Sequence, residues 1–256
     1  MAIAAAGEQA LKGRRIVKST GTGEEHWRTD FIGRHGNGEF KDEPQAFLIE
    51  MTPNEVIVPH FHEVDQFQIF VAGSGSLGRN NDVAQPLTVH YTDRYTGYGP
   101  INAGPHGFSY FTLRARTDPG AVYLHKPGYR EKLKPSRKRH DLAQITLSTE
   151  PVLLNRGDAV LEPLLKNQDQ EKDGLGAFLL RMGPNRKTSG PDPRAGGGQH
   201  YLVVNGSLDL NGKRYPAWST VFVDAAEAPL SISAGPQGLE ILILQYPQQT
   251  SQPAQQ

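Results

Sequence analysis

An internal repeat constrains this chain more than any other feature. Phe47–Asn54 reads FLIEMTPN, and Phe178–Asn185 reads FLLRMGPN, 131 positions later. Gln66–Ser74 (QFQIFVAGS) returns as Gln199–Ser207 (QHYLVVNGS) at an offset of 133. Thr88–Tyr91 (TVHY) returns as Thr220–Val223 (TVFV) at 132, and Ile101–Gly107 (INAGPHG) as Ile232–Gly238 (ISAGPQG) at 131. Four blocks keep their order with a drift of two residues. A period that long belongs to a domain-sized unit, not to a solenoid repeat, so the 256 residues divide into two copies of one fold.

Each copy reads as β. The blocks are short, rich in β-branched and aromatic residues, and bounded by Gly, Pro, Asn and Asp. The chain holds 28 Gly and 19 Pro, more than ordinary usage, which favours many turns over long helices. The segments AGPHG and AGPQG read as turns between strands. Helical patterning is weak; Glu131–Leu133 and Val160–Lys166 are the only short helices expected. Many short strands with regular turns suggest a sandwich or barrel.

Charge and composition remove several function classes. Lys plus Arg and Asp plus Glu are 27 each, so the chain lacks the basic excess of a dedicated nucleic-acid binder. Lys126–His140 holds seven Lys or Arg and one Glu; without interleaved aromatics it reads as a solvated linker. No apolar run approaches the length of about 20 residues that spans a bilayer. The first residues carry no basic charge ahead of their apolar stretch, unlike a secretory signal, and a cytoplasmic location is expected. With no Cys, any metal must be held by His, carboxylate or amide groups.

One pair of the nine histidines has ligand spacing: His60 and His62, in Pro59-His-Phe-His-Glu-Val-Asp-Gln66. On a strand, residues i and i+2 share a face, so two imidazoles can grip one divalent ion. A polar pair on a solvent-facing strand would have the same spacing. His60-Phe-His62, three residues, Gln66, six residues and Gly73 resemble the first motif of the cupin superfamily, and two such units resemble a bicupin, over residues 45–125 and 176–247. The resemblance implies an all-β fold of two tandem antiparallel β-barrels of the jelly-roll type. It implies one divalent metal ion (Fe, Ni, Mn, Cu or Zn) in the mouth of the first barrel. Its metal ligands would be His60, His62, Gln66 and a residue from a second motif.

The chain departs from that pattern in three places. Gln66 stands where the family has Glu, and Asn54 where it has the opening Gly. The further ligand is open. His106 is a candidate by distance, although it aligns with Gln237 in the AGP-x-G segment; Tyr98 and His90 are others, as is water. The second copy has no His pair. Gln199 aligns with Gln66 without partners, so that barrel is expected to serve as scaffold or as the surface of a homodimer. Tyr91, Arg94 and Tyr98 lie in a Tyr- and Thr-rich segment that could line a pocket for an aromatic or sugar-like ligand.

The resulting division is an N-terminal extension (1–40), an N-terminal barrel (41–125), a basic linker (126–160), a C-terminal barrel (161–247) and a polar, disordered tail (248–256). The expected function is that of a metal-dependent enzyme of dioxygenase type acting on a small molecule. The alternatives are a non-catalytic small-molecule-binding or sensing bicupin and a structural or storage protein. The expected partner is a small molecule, and neither nucleic acid nor a membrane.

Overall fold

A computed structural model describes residues 1–19, 21–34, 41–80 and 82–248. Its chain forms two compact units, one of Ala5–Thr146 and one of Met1–Ala4 with Leu147–Gln256. Each is built on a large antiparallel sheet, so the all-β fold expected from the repeat is the fold observed.

In the N-terminal unit the sheet runs, in spatial order, His140–Gln144, Thr88–Thr92, Gln66–Leu77, Ile101–Arg114, Gln45–Met51, Glu25–Ile32, Arg15–Lys18. In the C-terminal unit it runs Ile3–Ala5, Thr220–Val223, Gln199–Leu210, Ser231–Gln245, Gly176–Met182, Ala159–Pro163. Repeat-related strands hold the same places in both. The outermost strand beside Thr88–Thr92 comes from the segment joining the copies. The strand beside Thr220–Val223 comes from the start of the chain. Both faces of these strands bury apolar residues, among them Phe67, Ile69, Phe108, Phe111 and Leu113 in the first unit and Tyr201, Val203, Ile241 and Ile243 in the second, all essentially inaccessible to solvent.

Several expectations are corrected. Val160–Lys166 is not a helix: Ala159–Pro163 is a strand paired with Gly176–Met182, because an apolar run this short takes whichever form its tertiary partners favour. Glu131–Leu133 is overlapped only by a 3-10 turn, Arg130–Lys132, and Leu133 is extended. Short helices occur at Gly7–Leu11 and Glu150–Leu154. The stretch 1–40 contributes the strands Arg15–Lys18 and Glu25–Ile32, and 126–160 contributes His140–Gln144. Of the expected tail, residues 249–256 lie outside the described residues.

The AGP-x-G segments are not turns between strands. Ile101–Arg114 is one strand, with its register shifted between Ala103 and Phe108; Gln199–Leu210 and Ser231–Gln245 show the same shift between Gly206 and Leu208. The bulge needs glycine. Gly73 has φ +75°, and a Cβ there would lie 2.2 Å from the Gly107 carbonyl oxygen; Gly206 repeats this against Gly238 at 2.1 Å. These backbones approach too closely for any side chain.

Candidate functional site

The His pair sits on a short strand, His60–Phe61, held between two others. Tyr123 pairs with His60 on one side. Tyr98 pairs with it on the other, through a His60 N–H donated to the Tyr98 carbonyl (3.1 Å) and a Tyr98 N–H donated to the His60 carbonyl (3.0 Å). Phe61 points into the core and is fully buried. His60 and His62 therefore share the opposite face, their ring centroids 5.1 Å apart, and both line a cavity of about 420 Å³ in the N-terminal unit.

The hydrogen bonds determine the tautomers. His60 Nδ1 lies 2.8 Å from the Val58 carbonyl oxygen, which can only accept, so Nδ1 carries the proton and Nε2 the lone pair. Burial, reinforced by the neighbouring His62, lowers the His60 pKa to about 3, and the ring is neutral at pH 7. The Tyr98 hydroxyl, 2.9 Å from Nε2, donates to it. Burial raises the phenol's pKa above its ordinary value, so it keeps its proton. His62 Nδ1 donates to Asp118 Oδ2 at 2.7 Å, leaving its Nε2 as acceptor. Burial lowers the His62 pKa as well, against the opposing pull of Asp118.

Gln66 and Arg114 complete the network. Gln66 Nε2 donates to the Tyr98 hydroxyl oxygen (2.6 Å). Its Oε1 accepts from Arg114 Nε (3.1 Å) and Nη2 (2.9 Å). A guanidinium only donates, so Arg114 decides which way the amide faces. Nη2 of Arg114 also stands against the His62 ring, 3.2 Å from Nδ1 and 3.3 Å from Nε2. Its Nη1 lies 3.3 Å from Asp118 Oδ2. Burial by itself would raise the Asp118 pKa. His62, Arg114 and the backbone N–H of Glu63 outweigh that and hold it down to about 2.

The cavity wall carries more cations than anions. Among the described residues Lys18, Arg28 and Arg114 line it, against Asp118 as the one carboxylate. Asp30 takes Arg28 Nε at 2.8 Å but is shared with Arg15 at 2.5 Å. The Arg28 guanidinium stacks on Phe47, 3.6 Å from the ring centroid. Ile49, Ile57, Tyr110 and Tyr123 give the remaining wall an apolar and aromatic character.

The sequence-derived site residues are thus divided. His60, His62, Gln66 and Tyr98 are brought together. His106 is not: it is exposed on the bulge of Ile101–Arg114 and lines no part of the cavity. His90 is wholly buried, with Nδ1 2.8 Å from Gln68 Oε1, and does not line the cavity either. Tyr91 is a core residue whose hydroxyl donates to Asp93 (2.7 Å). Arg94 binds Asp65 through its backbone N–H (2.9 Å). Neither lines the cavity, where a substrate-binding role was expected of both. Arg28, Phe47, Arg114 and Asp118 were not singled out. The repeat held a signal for one of them, since Arg114 aligns with Gln245 at the offset of 131 that the preceding block, Ile101–Gly107, keeps. In the C-terminal unit Gln199 Nε2 donates to Gln245 Oε1 (2.7 Å), and Tyr201 donates to Gln199 Oε1 (2.7 Å).

No protein-family model matches the chain, and a search of curated proteins finds no match. Solved structures do resemble it. A protein of Nostoc punctiforme PCC 73102 provisionally named a dioxygenase aligns over 95% of this chain and 82% of its own, at a TM-score of 0.60 and 10% identity. A nickel(II)-bound pirin from Escherichia coli aligns over 97% and 100%, at 0.53 and 12%. An oxalate decarboxylase of Bacillus subtilis, a protein with Mn(II) centres, aligns over 98% and 78%, at 0.54 and 12%. At such identities the likeness establishes the fold, antiparallel β-barrels of the cupin type.

The donor set here does not fit a divalent ion as it stands. The His60 lone pair is taken by the Tyr98 hydroxyl, and the Gln66 oxygen faces Arg114. The guanidinium abuts His62. Among the described residues no group of three or more His, Asp or Glu could hold a metal. Two like unit charges about 4 Å apart repel by about 4 kcal/mol at an effective dielectric near 20, and a divalent ion doubles that. Gln66 is therefore a ligand of Arg114, contrary to the expectation that it ligates metal.

Proposed function

We propose that the N-terminal barrel binds a small anionic molecule with an apolar or aromatic body, and that the chain is a small-molecule-binding bicupin. The observation that carries this reading is the pairing of Arg28 with Phe47 on the cavity wall. A buried guanidinium whose carboxylate partner is shared attracts a second anion, and the ring beneath it offers a flat apolar surface. The volume of about 420 Å³ is that of a pocket for a small organic molecule. Among the described residues no helix is long and apolar enough to cross a membrane.

Benzoate and its uncharged counterpart benzamide test the reading. Benzoate should raise the melting temperature and bind calorimetrically, benzamide should do neither, and Arg28→Met should abolish the difference. Equal effects of the two compounds would overturn it.

A second reading is a metal-dependent enzyme of dioxygenase type, with one divalent ion (Fe, Ni, Mn, Cu or Zn) on His60 and His62. One observation favours it: both Nδ1 atoms are pinned by outer acceptors, Val58 and Asp118, as is usual for metal-binding histidines. Oxygen uptake that depends on added metal would establish this reading in place of the first.

A further inference from the structure

We infer that the Arg114 guanidinium is the resident cation of the N-terminal barrel, standing in the place that the His60-x-His62 pair would give to a metal ion. It draws on the groups a divalent ion would use: the Gln66 amide oxygen at 2.9 Å, the His62 imidazole at 3.3 Å from Nε2, and the Asp118 carboxylate at 3.3 Å. Gln45 Oε1 accepts a further bond from Nη1 at 3.4 Å. The side chain is fixed at the end of a long strand and is buried.

The charges of this cluster balance without metal. Arg114 contributes one positive charge and Asp118 one negative. His60 and His62 are neutral imidazoles, Tyr98 is a neutral phenol and Gln66 a neutral amide. A carboxylate at position 66 would leave the cluster with one net negative charge, a setting that invites a cation. The neutral amide removes that invitation.

The second copy gives independent support. Gln245 stands at the position of Arg114, and it meets Gln199 amide to amide at 2.7 Å. The imidazole pair and the guanidinium thus occur together in one copy and are both absent from the other. Arg114 is on this account a positioning residue: it orients Gln66, which orients Tyr98, which caps His60.

The test reads metal content in the tag-free full chain, so it does not depend on which small molecule binds. Wild-type protein and Arg114→Lys, incubated with Mn(II) or Ni(II) and desalted, should retain no stoichiometric ion. Arg114→Gln, carrying the residue of the second copy, should retain one ion per chain, and Arg114→Gln/His60→Ala should lose it again. Circular dichroism and melting curves report whether each variant folds. The inference is overturned if wild-type protein holds one ion per chain that His60→Ala/His62→Ala removes. It is equally overturned if folded Arg114→Gln holds no more than wild type. Should Arg114→Gln fail to fold, the wild-type titration decides by itself: a stoichiometric ion refutes the inference and none supports it.

Discussion

Gln66 receives two hydrogen bonds from Arg114, at 3.1 and 2.9 Å, and passes one on to Tyr98 at 2.6 Å. The direction of the bonds from Gln66 through Tyr98 to His60 follows from that contact. Because the guanidinium cannot accept, the Gln66 amide nitrogen must face Tyr98, the phenol must donate to His60, and His60 must carry its proton on Nδ1. The repeat-related pair, Gln199 and Gln245, is also bonded, but there the order is set by the backbone carbonyls of Pro191 and Gly174, which accept from the two amide nitrogens at 3.2 and 2.6 Å.

Breaking the ion pair at Asp118 should be costly. Asp118 is nearly inaccessible and serves His62, Arg114 and the N–H groups of Glu63 and Gly120. Asp118→Ala leaves a buried guanidinium without its countercharge, and a loss of about 3–5 kcal/mol is expected. Urea denaturation at pH 7 measures it.

Acid should destabilise the fold in two steps. Neutral His60 has its pKa lowered to about 3, against about 6.5 in the unfolded chain. Between those values the unfolded state binds more protons, so stability falls as pH drops below about 6.5. Asp118, held at about 2, contributes stability that is full above its unfolded value near 4 and is lost as pH falls toward 2. Replacing His60 by Gln should reduce the first step, to which His62 and His90, also lowered by burial, contribute the remainder, and leave the second, as read from urea midpoints across pH 3–8.

Two glycines with similar backbone angles should respond differently to alanine. Gly73 and Gly78 have φ of +75° and +78°, but a Cβ at Gly73 meets the Gly107 carbonyl at 2.2 Å while one at Gly78 meets nothing within 4 Å. Gly78→Ala carries only the left-handed penalty of about 1–2 kcal/mol. Gly73→Ala must also push two strands apart, and its melting temperature should fall well below that of Gly78→Ala.

Removing residues 1–5 should loosen the C-terminal unit selectively. Ile3–Ala5 is the strand beside Thr220–Val223, and its loss leaves that strand as an open edge. Hydrogen exchange should accelerate at 220–223 and stay unchanged at 66–77. Uniform acceleration would refute this account.

The sequence by itself determined the twofold repeat, the strand character of its blocks and the shared face of His60 and His62. These are properties of short spans: β-propensity, alternation, and a repeat that places the same strands in the same order. Gly73 stood in the motif spacing of His60 and His62, but the bulge that requires glycine there and at Gly206 belongs to the tertiary structure. What only the tertiary structure decided are the partners. Tyr98 meets His60 across 38 positions, Arg114 meets Gln66 across 48 and Asp118 meets His62 across 56. Nothing local in Thr112–Asp118 distinguishes an arginine that will enter the barrel from one that will stay in solvent, because burial of its charge depends on counterions and acceptors delivered by other strands. The orientation of the Gln66 amide belongs to the same class. A neutral amide can face either way, and it takes its direction from the cation that the fold sets beside it.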